Sequence, residues 1–495
     1  MNAASLERAE RSPLFAWGAF VPLVLALALG ALASRRDWGP QAVDVPWFGA
    51  AVLFCALLPG LVYKATRQSA PQRSGLVPFF PTIGVLYGLY FGFPVLHADE
   101  FLMPTLQGTQ HSLARAIELA LWGWIALLAG WTLGGKVWSR VRPLDLPLDE
   151  KRTDHALPWL LGLGAAGIFV HRTLPVPGGL AQPLRYVQML FQLGLGILVL
   201  RSLRGALEPR LKQLTWGGLV PAYIFLQIGD GSVAQLAYAS LYLFFLVWGA
   251  GKRVPLLALG VAALFMMLLR GNVHAFRDQA WTGASNQSEQ GVFARSVLFF
   301  EILYERFSEE PVVAIEESFE EVSTRVAHLG TFSHVAQLTP ARVPYWEGET
   351  YAALPSSIVP RIFWPNKPSK QIGQDFGHRY ELLAPSDKTT AVNLPQLIEF
   401  YANFGPRGVL WGMLAMGLLY RFLHRWWNMP GVGEGTLVLA AVYFSRLILI
   451  ESDFTLTYGA VIQFVVLLVL TLRALGPKRE RRAPPKPAEL VGGLA

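Results

Sequence analysis

The chain contains little cysteine and little charge. Cys55 is the only cysteine among 495 residues, and it lies inside an apolar run. This excludes an intramolecular disulfide and argues against a thiolate metal site. Charged residues make up 15% of the chain and hydrophobic residues 53%, with a mean hydropathy of +0.37. Because one or two soluble cores need far fewer apolar residues, the sequence predicts a polytopic membrane protein.

Several functional motifs are also absent. The sequence has no Walker-type phosphate loop and no Gly-x-Ser-x-Gly elbow, so an ATP-driven transporter is not expected. No repeat of fixed period supports a duplicated transporter architecture. The loop histidines His328, His334 and His378 lack metal-ligand spacing. We therefore expect neither a metal nor another cofactor.

About twelve apolar runs approach the roughly 20 residues that a helix needs to cross a bilayer. They predict an all-α fold, a transmembrane helical bundle with a large, partly helical loop between the ninth and tenth spans. Several runs are short, which leaves tilted, re-entrant or merged helices open. The runs cover residues 14–34, 46–63, 76–97, 113–133, 156–170, 186–200, 214–227, 233–248, 254–269, 404–420, 435–450 and 455–472.

The positions of the Lys and Arg residues indicate a topology. They give a formal net charge of +8, and most of them fall in loops that are cytoplasmic if the N-terminus is cytoplasmic. Arg35 and Arg36 depart from this pattern. The preferred topology places both termini in the cytoplasm and the long loop on the far side, so nucleic acid is not an expected partner. The residues that follow the rule are Lys64, Arg67, Arg73, Lys136, Arg140, Arg142, Lys151, Arg152, Arg201, Arg204, Arg210, Lys212, Lys252, Arg253, Arg421 and Arg425.

The sequence divides into four segments. Residues 1–269 hold about nine spans and residues 404–474 about three. Between them, residues 270–403 form a polar loop, in which residues 292–338 predict two amphipathic helices on the outer membrane surface. Residues 475–495 form a basic cytoplasmic tail that we expect to be disordered. Because long ordered loops are uncommon unless they carry function, we expect the chemistry in the loop.

Two segments of the loop region carry a resemblance to a known family. Tyr351 precedes the run Leu-Pro-Ser-Ser-Ile-Val-Pro-Arg-Ile-Phe-Trp-Pro-Asn-Lys-Pro at 354–368, and Glu-Phe-Tyr-Ala-Asn-Phe-Gly-Pro-Arg-Gly at 399–408 enters an apolar helix. With many spans and one large loop in the second half, they resemble the oligosaccharide repeat-unit polymerases of the O-antigen polymerase (Wzy) type. The resemblance covers the loop and the following helix, and the first eight helices only in general layout.

The resemblance implies a glycosyl transfer on the periplasmic face of a bacterial inner membrane. A growing glycan would leave undecaprenyl diphosphate and join a hydroxyl of the next lipid-linked repeat unit, in the synthesis of O-antigen, capsule or exopolysaccharide. No nucleotide sugar and no metal would take part. The implied partners are undecaprenyl-diphosphate-linked oligosaccharides and the lipid bilayer, with a chain-length regulator and a flippase as further partners.

A diphosphate leaving group needs fixed positive charge, and arginine grips phosphate oxygens in two places. Arg361 is the first candidate for this clamp and for catalysis, supported by Lys367. Pro360, Pro365 and Pro368 restrict the backbone around these two residues and lower the entropy cost of ordering them. The alternative is a rigid proline-aromatic turn whose arginine points to solvent or to lipid headgroups.

Four further arginines are candidates for binding the diphosphate. Arg270 follows the ninth span, Arg277 lies a few residues on, and Arg325 lies on the second loop helix. Such interfacial arginines also anchor helix ends by snorkelling. Arg446 lies within an apolar run, where a charge predicts either a functional role or a buried pair with a carboxylate.

Glu399 is the candidate general base for the acceptor hydroxyl. It comes just before the tenth span, beside Tyr401 and Asn403, whose side chains suit hydrogen bonds to sugar hydroxyls. The alternative is a solvated carboxylate stabilised by the dipole at a helix N-terminus. Trp364 suits stacking on a sugar face, with packing in the proline-rich turn as the favoured alternative.

Three other functions stay open from the sequence. A ligase would move the glycan onto lipid A core or a protein, and it would differ only in its acceptor. A flippase or exporter would place charges along a path through many helices, whereas few charges lie inside the predicted spans. A non-catalytic membrane subunit of a polysaccharide-assembly complex is the third.

Overall fold

The protein is described here by a computed structural model, in which every regular element within the described residues is a helix. The described residues are 13–477 apart from 70–76, 97–109, 175, 177, 229–232, 253, 255, 278–291, 360–363, 365–370, 389 and 449. The first half holds α1 (Pro13–Ala33), α2 (Val45–Ser69), α3 (Phe79–Leu96), α4 (Gln110–Val137), α5 (Glu150–Thr173), α6 (Gly178–Leu203), α7 (209–228), α8 (Val233–Gly249) and α9 (Leu256–Gly271). The second half holds α10 (Val273–Arg277), α11 (Val292–Glu309), α12 (Pro311–Val326), α13 (His328–Leu338), α14 (Leu354–Ile358), α15 (Ile372–Arg379), α16 (Gln396–Trp427), α17 (Glu434–Leu447) and α18 (Phe454–Ala474).

Each of the predicted apolar runs falls on one of these helices, which confirms the all-helical fold. Among the described residues, four helices are long and apolar enough to cross a membrane, against the twelve expected. These apolar helices indicate a membrane-associated protein. The four are Phe79–Leu96, Ser112–Val137, Leu180–Leu203 and Phe454–Ala474, and the shorter apolar helices are Phe20–Ala33, Val45–Leu61, Ala234–Gly249 and Gly260–Gly271.

Helix α17 illustrates why an apolar run does not by itself establish a membrane span. It has 14 residues, too few to cross a hydrocarbon layer of about 30 Å upright. Nearly all of its residues are buried, because α6, α8 and α18 pack around it. A helix that is apolar on all sides is expected in a protein core as well as in a membrane, so the pattern alone does not separate the two cases.

Many of the residues assigned to the cytoplasm meet at one end of the bundle. We call this the cationic end (Arg152, Arg201, Arg204, Arg421 and Arg425). Its loops are tied to one another by hydrogen bonds and ion pairs. The contacts are Arg425 Nη2 to Ser139 O at 2.7 Å, Arg204 Nη1 to Glu434 Oε1 at 2.8 Å, Arg152 Nη1 to Gly476 O at 3.0 Å, and Arg201 Nη1 to Asp154 Oδ1 at 2.5 Å.

The long loop forms more helix than expected. Residues 292–338 contain three helices, α11, α12 and α13, where the sequence predicted two. Apolar residues of α11 pack on α9 and α10, while α12 keeps Val312, Ile315 and Phe319 exposed. Helix α12 also lies directly against α9, so closely that a Cβ atom on Gly271 would overlap Ser318.

The predicted boundary between the loop and the last spans lies inside a helix. α16 begins at Gln396, and the boundary at residues 403 and 404 comes just before a kink at Gly405. Gly405 has φ 64° and ψ −153°, a conformation open almost only to glycine. A Cβ atom there would lie 2.6 Å from Tyr345 Oη. Glu399, Tyr401 and Asn403 therefore belong to a separate first segment of α16.

We expect Gly405→Ala to lower the stability of the protein by about 1 to 3 kcal/mol, because the alanine is strained at this φ and its methyl group meets Tyr345. The thermal unfolding temperature of the purified protein measures this loss. Gly431→Ala is the matched control, since Gly431 also has a positive φ, 82°, but no neighbouring atom lies within 4 Å of the place that a Cβ atom would occupy. Equal losses in the two variants would contradict the role of the Tyr345 contact.

Candidate functional site

Helices α9, α11, α12 and α13 surround an open pocket with a volume of about 530 Å³. Arg270 reaches it from the last turn of α9, and Arg325 from the last turn of α12. Both residues were predicted from the sequence to bind a diphosphate, and the structure brings them to one pocket. The lining residues are Arg270, Gly271, Arg306, Glu317, Glu320, Glu321, Thr324, Arg325, Ala327, His328, Thr331, Val392 and Asn393.

Acidic residues of α12 hold two of the pocket arginines. Arg270 Nη2 lies 3.2 Å from Glu321 Oε1. Arg306, on α11, is paired with Glu317 and also donates a hydrogen bond from Nη1 to the carbonyl oxygen of Gly271 at 2.7 Å. Because Glu317 and Glu321 are one turn apart, α12 presents both carboxylates to the same wall of the pocket. An anion that enters would compete with these carboxylates for the arginines.

The third arginine of the pocket belongs to a cluster with two side chains that are more buried than Glu317 and Glu321. Arg325 Nη2 lies 3.2 Å from Glu451 Oε2, and His328 Nε2 lies 3.7 Å from the same oxygen. The His328 side chain is 7% exposed and that of Glu451 16% exposed. The ring of Tyr90 packs edge-on against His328, with 4.8 Å between the ring centroids. Tyr90 lies in a π-helical turn of α3, Gly88–Gly92, a distortion often found at functional sites.

The protonation of this cluster follows from its burial and charges. Burial lowers the pKa of His328, and the nearby Glu451 carboxylate offsets this only in part. Burial alone would raise the pKa of Glu451, but its contacts with His328 and Arg325 outweigh that effect and lower the pKa. At neutral pH the cluster therefore holds a neutral imidazole beside an ionised carboxylate.

Arg446 lies next to this cluster. Its guanidinium carbon is 5.2 Å from the ring centroid of Tyr238, on α8. Within the described part of the chain, Arg446 makes no ion pair with Glu451 or Asp453, the carboxylates that the sequence suggested as partners. Those two residues have other contacts: Glu451 binds Arg325, and Asp453 caps α18 by accepting a hydrogen bond from the amide of Leu456.

Glu399, the predicted general base, does not line this pocket. It is 0% exposed, and its Oε2 accepts a hydrogen bond of 2.7 Å from the amide of Phe454, the first residue of α18. Burial raises its pKa to about 8, against the lowering effects of the Thr350 hydroxyl and the Phe454 amide. It is thus not the solvated carboxylate considered from the sequence, and it is not among the residues that line the pocket. Its role as a general base stays a prediction.

Tyr401 and Asn403 are also buried close to Glu399. Tyr401 Oη donates to the carbonyl oxygen of Thr339 at 3.3 Å. Asn403 donates to Thr350 Oγ1 at 2.9 Å and accepts a hydrogen bond from the amide of Gly348 at 2.8 Å. These bonds fix the 3-10 turn Glu349–Tyr351 against α16. In this structure the two side chains serve internal contacts, and their predicted binding of sugar is not tested.

The remaining predicted residues lie partly outside the described structure. Arg361 and Lys367 fall outside the described residues, as does the side chain of Arg277, whose backbone ends α10. Trp364 is 43% exposed. The first part of the same motif, Leu354–Ile358, forms α14 and packs on α18.

Sequence reasoning missed Arg306 and His328, which line the pocket, and Glu451, which contacts Arg325 and His328 without lining it. Arg306 was assigned to the polar face of an amphipathic helix, and His328 was set aside because it has no metal-ligand spacing. Glu451 was considered only as a partner for Arg446. Arg325 and His328 are three residues apart, but they lie on two helices separated by the non-helical Ala327, so helical spacing does not indicate that they share a side. Among the described residues, no group of three or more His, Cys, Asp or Glu side chains is suited to hold a metal ion.

Comparisons with known proteins give one match. Residues 234–431 match a family described as a domain of unknown function (DUF8712). The matched stretch is less than half of the chain and includes the pocket residues from Arg270 to Asn393, but not Glu451. No curated protein and no solved structure matches the chain.

Proposed function

We propose that this protein is an oligosaccharide repeat-unit polymerase of a bacterial inner membrane. It transfers a growing glycan from undecaprenyl diphosphate to the next lipid-linked repeat unit on the periplasmic face. The observation that carries the proposal is the pocket in which Arg270, Arg306 and Arg325 meet. One of its walls is the end of α9, an apolar helix.

The arginines provide what departure of a diphosphate requires. Negative charge develops on the leaving oxygen as the sugar–phosphate bond breaks, and positioned guanidinium groups stabilise it. Arg270 and Arg306 are held by Glu321 and Glu317. A diphosphate carries more charge than either carboxylate, so it displaces them by offering a stronger partner to each arginine. Arg361 and Lys367 remain proposed members of the same clamp.

The arrangement of charge supports a matching topology. The cationic end gathers arginines from loops that the predicted topology assigns to the cytoplasm, which supports a cytoplasmic position for that end under the positive-inside rule. The pocket is built from the long loop, which this topology assigns to the periplasm. We propose that the apolar helices at all of the roughly twelve predicted runs cross the membrane, with re-entrant or merged spans among the short ones, because this number places the cationic end on the cytoplasmic side.

The size distribution of glycans in cells that lack the protein tests the proposal. Lipid-linked and surface glycans are compared after complementation with wild type or with Arg361→Ala at equal abundance. Loss of the long-chain ladder, with single repeat units retained, is the expected result, and Arg361→Ala should not restore it. Long chains stranded on the lipid carrier would indicate a ligase, and single units trapped on the cytoplasmic side would indicate a flippase; either outcome would overturn the proposal.

A further inference from the structure

The pocket is lined in part by a histidine that binding of a diphosphate does not use. His328 is the first residue of α13, and it lines the pocket although most of its side chain is buried. Its Nε2 atom faces Glu451, and the ring of Tyr90 covers it from the side of α3. With Nε2 directed at the carboxylate, Nδ1 is the ring atom left to exchange a proton.

Glu451 is held from two sides. Arg325 contacts its carboxylate at 3.2 Å. Asn393 also makes a side-chain hydrogen bond to this carboxylate. The chain just before Glu451 is fixed as well, since the carbonyl oxygen of Ile450 accepts a hydrogen bond of 3.2 Å from the amide of Gln396, at the start of α16. A carboxylate fixed beside an imidazole orients the ring and stabilises the imidazolium that forms when the ring takes a proton.

We propose that His328 accepts the proton of the acceptor hydroxyl, and that Glu451 is its positioning residue. The inference rests on the proposed function and names the proton acceptor of that reaction. The hydroxyl oxygen forms a bond to the anomeric carbon of the donor sugar as its O–H bond breaks. The bond from that carbon to the diphosphate oxygen breaks, and the diphosphate leaves with the electron pair. The proton moves to His328 and then to solvent.

The local electrostatics suit this role at neutral pH. Burial keeps the pKa of His328 below its ordinary value, so the ring is neutral and can accept a proton. The charged groups that act on it are Glu451, which favours the imidazolium, and Arg325, which disfavours it. Arg325 lies in the same pocket as Arg270 and Arg306. The proton acceptor and the predicted diphosphate ligands therefore share one cavity.

Replacing His328 by glutamine tests the proposal. Protein in nanodiscs is supplied with a synthetic undecaprenyl-diphosphate-linked repeat unit, and the rate of chain extension is measured. We expect kcat to fall about 100-fold in His328→Gln, with KM for the lipid-linked unit and the affinity for inorganic pyrophosphate unchanged. His334→Gln is the matched control, because His334 lies on the same helix but its Nε2 contacts the carbonyl oxygen of Tyr380 at 2.8 Å. Full kcat in His328→Gln would overturn the proposal.

The dependence of kcat on pH distinguishes a positioning role of Glu451 from a purely structural one. In wild type, kcat should fall on the acid side as His328 takes up a proton, and this acid limb should disappear in His328→Gln. Because Glu451 raises the pKa of His328, Glu451→Gln should move the acid limb to lower pH and lower kcat. A Glu451→Gln protein that loses only thermal stability, with an unchanged profile, would contradict its positioning role.

The same assay distinguishes failure of this inference from failure of the proposed function. If wild type extends the glycan and His328→Gln does so equally well, only the assignment of the proton acceptor is wrong. If wild type transfers the glycan to no acceptor, both proposals are wrong. Transfer to a different acceptor would make the protein a ligase, and the effect of His328→Gln on that rate would still decide the role of His328.

Discussion

Arg270→Ala is expected to lower the rate of glycan extension by about 100- to 1,000-fold. This is the usual loss when one preorganised hydrogen-bond donor that stabilises the developing negative charge is removed. Arg270 lies at the end of an apolar helix, in the pocket that also holds Arg306 and Arg325. The affinity for inorganic pyrophosphate should fall in the same variant. Extension of a synthetic lipid-linked repeat unit in nanodiscs and calorimetric titration with pyrophosphate measure the two effects.

Glu321→Gln is the matched variant, since it removes the carboxylate on Arg270 and leaves the arginine in place. We expect it to bind pyrophosphate more tightly than wild type, because the ligand no longer competes with a carboxylate. If the Arg270–Glu321 pair were only structural, both variants would lose stability and neither would change pyrophosphate affinity. The double variant completes a thermodynamic cycle that isolates the coupling between the two residues.

The second large effect concerns stability at alkaline pH. The pKa of Glu399 is raised from 4.5 to about 8 by burial, so the folded protein binds this proton more tightly than the unfolded chain. The contribution of Glu399 to the free energy of unfolding is therefore fully present below pH 4.5 and declines as the pH rises towards 8. Above pH 8 the loss is on the order of 5 kcal/mol. Glutamine cannot ionise and can still accept the hydrogen bond from Phe454. Glu399→Gln should therefore unfold at a higher temperature than wild type at pH 9 and at a similar temperature at pH 5.

Thermal unfolding at pH 5, 7 and 9 measures this difference. Glu349→Gln is the control, because the Glu349 side chain is 54% exposed and no comparable gain at high pH is expected. Glycan extension by Glu399→Gln separates two roles for the residue. Loss of extension in a more stable protein would support Glu399, in place of His328, as the general base, whereas unchanged extension would leave Glu399 as a buried link between α16 and α18.

The helical fold was largely predictable from the sequence. Apolar runs located the bundle helices, and apolar periodicity located α11 and α12, because both signals depend on neighbouring residues in the chain. The number of spans was not predictable in the same way. An apolar run has the same composition whether lipid or protein surrounds it, and α17 is covered by protein.

The candidate site was predictable only in part. Arg270 and Arg325 were identified because a charge beside an apolar helix is conspicuous, and the structure places them in one pocket. Glu451 is far from both in sequence, and its position depends on how the turn before α18 packs against α12 and α13. The burial of Glu399 could not be predicted for the same reason. Its carboxylate lies in the first turn of α16, and it is buried because Phe454, far away in sequence, packs against it. Long-range packing of this kind leaves no local pattern.

The length of α9 has a consequence for where the reaction takes place. The helix has 16 residues and is about 24 Å long, which is shorter than a hydrocarbon core of about 30 Å. If α9 starts at the cytoplasmic surface, Arg270 stops below the outer headgroups, and the tight contact between Gly271 and Ser318 fixes α12 at that depth. In the proposed reaction the lipid diphosphate would then be drawn inward to a recessed site, and thicker bilayers should slow glycan extension.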